Sequence, residues 1–210
     1  MLHCGVFEEG IMQTTEKPNL LKFPRLALLR KIWRKIKKLF RKEKTYAEHR
    51  EQANYSRRVI ELLKEIASDS DCDSVIDVGS KGVDVISGLP LKNKVSIDLT
   101  CPLVAECVEG ITGDFFDFQP KEQFDIVCCM QVLEHIPEVE KFAEKLFEIA
   151  RRYVVLSVPY KWECGYCHWH IHDPVDEEKL AAWTKEQPIL TEYIRDGNDV
   201  RMLCVYKKTS

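Results

Sequence analysis

The sequence predicts an α/β protein: a doubly wound, mostly parallel sheet of about seven strands with an antiparallel last strand, preceded by a basic amphipathic helix. Three observations predict it. Strand and helix are expected to alternate throughout from residue 45 onward. The run Ser74–Val78 breaks on Gly79 and Gly82, and a second apolar run ending on Asp98 follows about 20 residues later. The first 50 residues are strongly basic, whereas the remainder is acidic.

In chain order, residues 1–23 lack periodicity and are expected to be mobile. Residues 24–44 form the basic arm. Pro24 opens a stretch with Leu26, Leu29, Ile32, Trp33, Ile36, Leu39 and Phe40 at helical spacing, and Arg and Lys fill the other face. Residues 45–210 form the body. A helix is expected over Thr45–Ala67, then strands at Ser74–Val78, Lys94–Asp98, Glu109–Thr112 and Phe124–Met130. A helix over Glu138–Ala150, a strand at Tyr153–Val158, a long loop from Pro159 to Val175 and a helix over Asp176–Lys185 follow. Strands Ile189–Arg195 and Val200–Lys207 close the chain around Asp196-Gly197-Asn198-Asp199, a turn signal that makes them antiparallel neighbours.

Charge divides the chain as sharply as pattern does. Residues 1–50 carry 13 Lys and Arg against 5 acids, and residues 51–210 carry 18 against 29, so that +8 and −11 sum to the overall −3. A basic arm on an acidic body points to a meeting with an anionic surface. Three uses of Arg25 to Lys42 stay open: lying in an anionic membrane interface, packing on the body, or holding nucleic acid. Nucleic acid is disfavoured, because Trp33 and Phe40 both fall on the apolar stripe and leave no aromatics among the cations for base stacking. The arm carries too much charge to span a bilayer, and no apolar leader is seen, so a cytoplasmic protein, peripheral at the inner membrane face, is expected. The nine cysteines, two of them adjacent at Cys128 and Cys129 in an apolar run, argue for free thiols rather than a disulfide framework.

The chemistry concentrates on the carboxyl ends of the strands, where ligands of such sheets sit. Glycines at 79 and 82 let the backbone turn sharply and approach a ligand. Asp98, closing the second strand, is placed to grip a ribose diol. Asp114 and Phe115 after the third strand suit an adenine amino group and its ring. On these segments the chain resembles the class I S-adenosylmethionine-dependent methyltransferases: VIDVGSKG, SIDLT, GDFFDF and FDIVCCMQVLEHIPE are similar to their first four motifs. The fourth is similar to the corresponding segment of the methyltransferases of polyprenyl-quinone synthesis, and the domain resembles those of polyprenyl-quinone and glycan biosynthesis. The resemblance covers roughly Tyr55 to Lys208; the first motif lacks one glycine, and Ala150-Arg151-Arg152-Tyr153 stands where a Pro-Gly-Gly turn is usual.

The resemblance implies a Rossmann-like fold, S-adenosyl-L-methionine as cofactor, and a cofactor set of Asp77, Gly79, Ser80, Gly82, Asp98, Leu99, Asp114, Phe115 and Gln131. The expected reaction is in-line methyl transfer, O-methylation of a small-molecule, saccharide or lipid-linked acceptor. Removing a hydroxyl proton calls for a base near neutrality, and histidine is the usual one. His170 or His172 with Asp173 is the expected acceptor-side group, and His135 a cofactor-side or structural residue. Trp162, Tyr166 and Trp169 make the loop an aromatic lid. Two motifs in that loop are set aside. Cys164-Gly165-Tyr166-Cys167-His168 matches c-type haem attachment, which calls for export, and Cys164 and Cys167 with His170 or His172 lack the second ligand pair of a strong zinc site. No resident metal is expected. An RNA or protein methyltransferase using the arm, or an inactive scaffold of the same fold, remain the alternatives.

Overall fold

The computed structural model describes residues 54–68 and 71–208. The expected mobile terminus 1–23, the basic helix 24–44 and the first turns of the helix expected from Thr45 lie outside the described residues. Ordered from the described N-terminus, the elements are α1 (Asn54–Ala67), β1 (Ser74–Val78), β2 (Asn93–Asp98), β3 (Glu109–Thr112) and β4 (Phe124–Met130). A short 3-10 turn (Leu133–His135), α2 (Val139–Glu148), β5 (Ala150–Pro159), α3 (Glu177–Thr184), β6 (Leu190–Asp196) and β7 (Asp199–Lys207) complete the body.

The seven strands form one sheet in the order β3-β2-β1-β4-β5-β7-β6. β1, β2, β3, β4 and β5 are parallel, while β7 runs antiparallel to both β5 and β6. The expected antiparallel last strand is therefore present, and Gly197, at φ +62, takes the first central position of the tight β6–β7 turn, where a left-handed backbone is needed. The order reverses between β1 and β4, which opens a crevice at their carboxyl ends.

Alternation along the strands sends side chains to both faces, and both faces are covered. On one, Ile76, Ile97, Val127, Cys129, Val154, Leu156 and Met202 pack with Phe142 and Leu146 of α2 and Leu180 and Trp183 of α3. On the other, Val75, Ile126, Cys128, Val155 and Leu203 pack with Val59, Leu62 and Leu63 of α1. Burying each large aliphatic side chain there stabilises the fold by about 1.5–3 kcal/mol. An Arg58 guanidinium clamps α1 to β6 through two bonds to Glu192, at 2.8 and 2.7 Å.

One expectation needs correction. Helices do not alternate with strands throughout: among the described residues none lies between β1 and β2, β2 and β3, or β3 and β4. Those links carry Gly79, Gly82, Gly88 and Pro90, then Pro102, then Gly113 and Pro120, residues that break helices. The first link instead tucks Val85, Ile86, Leu89 and Leu91 directly under the sheet, doing the covering that a helix would do. β5 also starts earlier than expected, at Ala150 rather than Tyr153, because Arg151 is held to Asp125 beside it.

Candidate active site

The cleft begins at the β1–β2 turn. Gly79 sits at φ +80 and its N–H donates to the Ile97 carbonyl at 2.8 Å. A Cβ at Gly79 would stand 2.5 Å from Cγ2 of Val132, so only glycine lets this turn lie against the segment leaving β4. Lys81 and Gly82 are also left-handed, at φ 49 and 75. Asp98 secures this shape: its Oδ2 accepts from Lys81 N at 3.0 Å, and its Oδ1 accepts from Thr100 N and Cys101 N, both at 2.9 Å. A half-buried carboxylate fixed in this way keeps further lone pairs for a diol.

The remaining cofactor-side residues divide into two groups. Asp98, Leu99 and Asp114 ring the cleft edge: Leu99 is 65% exposed, an apolar side chain with an open face, and Asp114 is exposed with Oδ1 capping Phe116 N at 2.9 Å. Asp77, Ser80 and Phe115 do not face it. Asp77 is 1% exposed; burial pushes its carboxyl up to about 7, and the Cys128 thiol donates to it at 3.6 Å. Ser80 is a buried hub whose Oγ accepts from Ser96 Oγ at 2.8 Å and Leu103 N at 3.1 Å, tying the turn to β2. Phe115, expected to pack on adenine, is turned into the core against Phe142 at 4.8 Å, so the exposed apolar face there is Leu99. Gln131, at φ 59, closes the β4 edge: its backbone N–H donates to the Ser157 carbonyl at 2.9 Å and its Nε2 to Ser157 Oγ at 3.2 Å. Tyr55 of α1 shares that hydroxyl, which puts α1 at the same edge.

The loop after β5 folds back over the β4 end, where the Ile171 N–H donates to the Glu134 carbonyl at 3.0 Å. This brings together residues far apart in sequence. His170 is 6% exposed and its Nδ1 lies 2.7 Å from Asp173 Oδ2, while Trp162 stacks on its ring at 5.4 Å. His135 meets His170 edge to face at 4.8 Å, and its Nδ1 lies 3.0 Å from the Trp169 carbonyl. Since a carbonyl only accepts, that Nδ1 carries the proton. Burial holds the His135 imidazole below its ordinary basicity, opposed in part by that carbonyl bond. The Lys81 charge acts on it in the same sense, which records how close the cofactor turn comes to this cluster.

His172 stands apart. Its Nε2 donates to the Ile136 carbonyl at 2.8 Å and its ring packs on Trp183 at 5.1 Å, so it anchors the loop to α3, away from the contact between His135 and His170. Of the two expected pairings, His170 with Asp173 is the one the structure brings together, and His135 stands beside it. Sequence reasoning passed over Glu134, whose carboxylate is 1% exposed with Oε1 4.0 Å from Nε2 of both histidines. The available signal was a charged residue set between apolar Leu133 and His135. Tyr166 and Trp169, 63% and 69% exposed, complete the aromatic rim expected of the loop.

The arrangement is an α/β fold of methyltransferase type, with the glycine turn and Asp98 at the β1/β4 crevice and a histidine–carboxylate cluster on the same edge. Residues 76–156 match the model of a family described as a methyltransferase domain, and the fold of the described residues is that of S-adenosylmethionine-dependent methyltransferases. Asp98 and Asp114, exposed Leu99 and the left-handed turn at Gly79 fit that donor.

The fold is shared with solved structures of low sequence identity. Magnesium protoporphyrin IX methyltransferase from Synechocystis, with bound S-adenosylhomocysteine, has TM-score 0.55 at 12% identity, covering 74% of this chain and 84% of that one. The N-methyltransferase NodS from Bradyrhizobium japonicum has TM-score 0.61 at 12% identity, covering 76% and 90%. The 1,6-didemethyltoxoflavin-N1-methyltransferase from Burkholderia thailandensis has TM-score 0.61 at 11% identity, covering 93% of each chain. No curated protein matches the sequence. The special likeness expected to quinone and glycan methyltransferases has no counterpart among these matches, which reach the methyltransferase class and no finer.

Proposed function

We propose that the protein methylates a hydroxyl of a small-molecule or saccharide acceptor, lipid-linked when the basic arm holds the enzyme at an anionic membrane face. One observation carries the reading: the Gly79 turn lies against Val132, two residues before Glu134, so the donor cleft and the histidine–carboxylate cluster are neighbours on one edge. Bound S-adenosylmethionine supplies a methyl already activated as a sulfonium. The chain's own task is placement and proton handling. Asp98 and the left-handed turn fix the nucleoside and methionine ends. His135, His170 and Glu134 present basic atoms to the acceptor oxygen, and Asp173 holds His170 in one orientation through Nδ1. Trp162 covers one face of the His170 ring and shields that histidine from solvent.

Membrane contact is supported by the cationic, amphipathic pattern of Arg25 to Lys42. Among the described residues no helix is long and apolar enough to cross a membrane. Two neighbours are named for methyl transfer to nitrogen, which makes a nitrogen acceptor the second reading. Incubation with methyl-labelled S-adenosylmethionine and a panel of phenols, saccharides, amines and lipid extract tests both. Label in a methyl ether supports the proposal; label in N-methyl product, RNA or protein overturns it.

A further inference from the structure

The geometry points to a divalent-cation site formed by Glu134, His135 and His170, of the transition-metal class that takes nitrogen and oxygen ligands, with zinc the best match. Its use in catalysis rests on the reading above; its existence does not.

The argument starts from which atoms carry protons. The Nδ1 of His135 faces the Trp169 carbonyl at 3.0 Å, and that of His170 faces the Asp173 carboxylate at 2.7 Å. Both partners accept, so both Nδ1 atoms donate, and each Nε2 of a neutral ring is left with a lone pair. Those two Nε2 atoms each lie 4.0 Å from the same oxygen, Glu134 Oε1. The three residues' ligand atoms all lie within 4.8 Å of one another. Three lone-pair-bearing atoms converging on one point form a nitrogen and oxygen donor set of the kind a cation takes. A proton does not bridge 4.0 Å, since hydrogen bonds to nitrogen and oxygen span about 2.7–3.2 Å. A tetrahedral cation with bonds of about 2.0–2.1 Å sets its ligands about 3.4 Å apart, which small rotations of these side chains reach.

The surroundings match what metal ligands need. A ligating histidine almost always gives its other N–H to a carboxylate or carbonyl, as both do here. Glu134 and His170 are 1% and 6% exposed, whereas His135 is 38% exposed, so the cluster is closed on one side and open on the other. An independent observation concerns Asp173: it is 1% exposed, and its Oδ1 has no hydrogen-bond partner among the described residues. Water on a cation held by His170 would satisfy that oxygen. Two histidines and one carboxylate leave a position for an exogenous oxygen, the arrangement of catalytic rather than structural zinc.

With the cation bound, the lone pairs of His135, His170 and Glu134 serve as ligands in place of acting as bases, and an acceptor hydroxyl in the open position loses its proton because the cation stabilises the alkoxide. The oxygen–carbon bond then forms as the sulfonium carbon–sulfur bond breaks. The proton passes to solvent through the open side, and S-adenosylhomocysteine leaves as a neutral thioether with no change of oxidation state. These ligands differ from the Cys164 and Cys167 pair weighed from sequence, whose thiols are free and lie respectively exposed and half-buried.

The full chain, stripped with EDTA, is titrated calorimetrically with zinc, cobalt, manganese and magnesium chlorides. We expect one zinc per chain with micromolar or tighter affinity, and a cobalt visible spectrum of four- or five-coordinate nitrogen and oxygen ligation. His135→Ala, His170→Ala and the near-isosteric Glu134→Gln should each weaken zinc at least tenfold while S-adenosylhomocysteine binding shows the fold intact. Asp173→Asn should cost about 10–100-fold. The double change Cys164→Ser and Cys167→Ser should leave zinc binding as it is. Absence of zinc binding at about 100 μM, where even a weak site fills, overturns the inference. Loss that follows the cysteine changes, or variants that bind like the parent, overturns it as well. Zinc bound at the cluster without methyl transfer to any hydroxyl would contradict the proposed reaction and leave the site standing.

Discussion

Replacing Gly79 by alanine probes the joint between the donor turn and the acceptor cluster. The structure sets two costs. The backbone sits at φ +80, where a side chain costs about 1–2 kcal/mol. The new methyl would stand 2.5 Å from Cγ2 and 3.3 Å from Cγ1 of Val132, a β-branched side chain with little rotamer freedom. Forcing that overlap apart costs about 1–3 kcal/mol. The sum, about 2–5 kcal/mol, lowers the melting temperature of a domain of this size by roughly 4–20 °C. Because Val132 leads into Glu134 and His135, the shift should also disturb the cluster. Thermal unfolding of Gly79→Ala, Val132→Ala and the double variant separates the terms: Val132→Ala should recover the overlap portion in the Gly79→Ala background, and the backbone portion should remain. The reasoning is refuted by a Gly79→Ala melting point within a degree of the parent's, or by a double variant showing no coupling between the two positions.

Other outcomes follow from the same geometry. Asp98→Ala should weaken S-adenosylmethionine at least tenfold in calorimetry, since charge-assisted bonds contribute about 1.5–3 kcal/mol and the turn also loses its anchor to Lys81 N; unchanged affinity would place the donor elsewhere. Asp77 is held near a pKa of about 7 by burial, above its unfolded value of about 3.9, so the stability it contributes is complete below pH 4 and lost as pH rises through 7. That difference is of order 4 kcal/mol, and Asp77→Asn should flatten the fall in denaturant midpoint between about pH 4 and 7; an unaltered slope would show that Asp77 is ionised in the fold. Deleting residues 25–42 should abolish flotation with anionic vesicles and leave neutral vesicles unbound as before; equal flotation of both proteins would leave the basic arm without a membrane role.

How legible the molecule was in its sequence depended on whether the signal was local. β1, β3 and β4 lie at the residues expected, because β-branched and apolar runs bounded by glycine, proline and charge carry their own limits. Covering segments were harder to read: Val85, Ile86 and Leu89 bury the sheet without forming a helix, so the expectation of strict alternation failed where glycine and proline accumulate. The place of Asp98 at the end of β2 beside the glycine turn was readable from its spacing, since one strand–turn–strand unit fixes that distance. Phe115 was misread because an aromatic beside an acid looks the same in sequence whether its ring faces ligand or, as here, Phe142. Glu134 was missed for a different reason. Its importance arises only when the loop after β5 brings His170 over it, a contact set by the Ile171 bond to the Glu134 carbonyl and the His172 bond to Ile136. No spacing within either segment contains that information.

The most direct test of the account is a crystal structure of the full chain with S-adenosylhomocysteine. The ribose hydroxyls should lie about 2.6–3.2 Å from the Asp98 carboxylate, with the amino-acid end over the Gly79 turn and the sulfur directed toward Glu134 and His135. A ligand bound outside the β1/β4 crevice, or a sulfur directed away from that cluster, would contradict it.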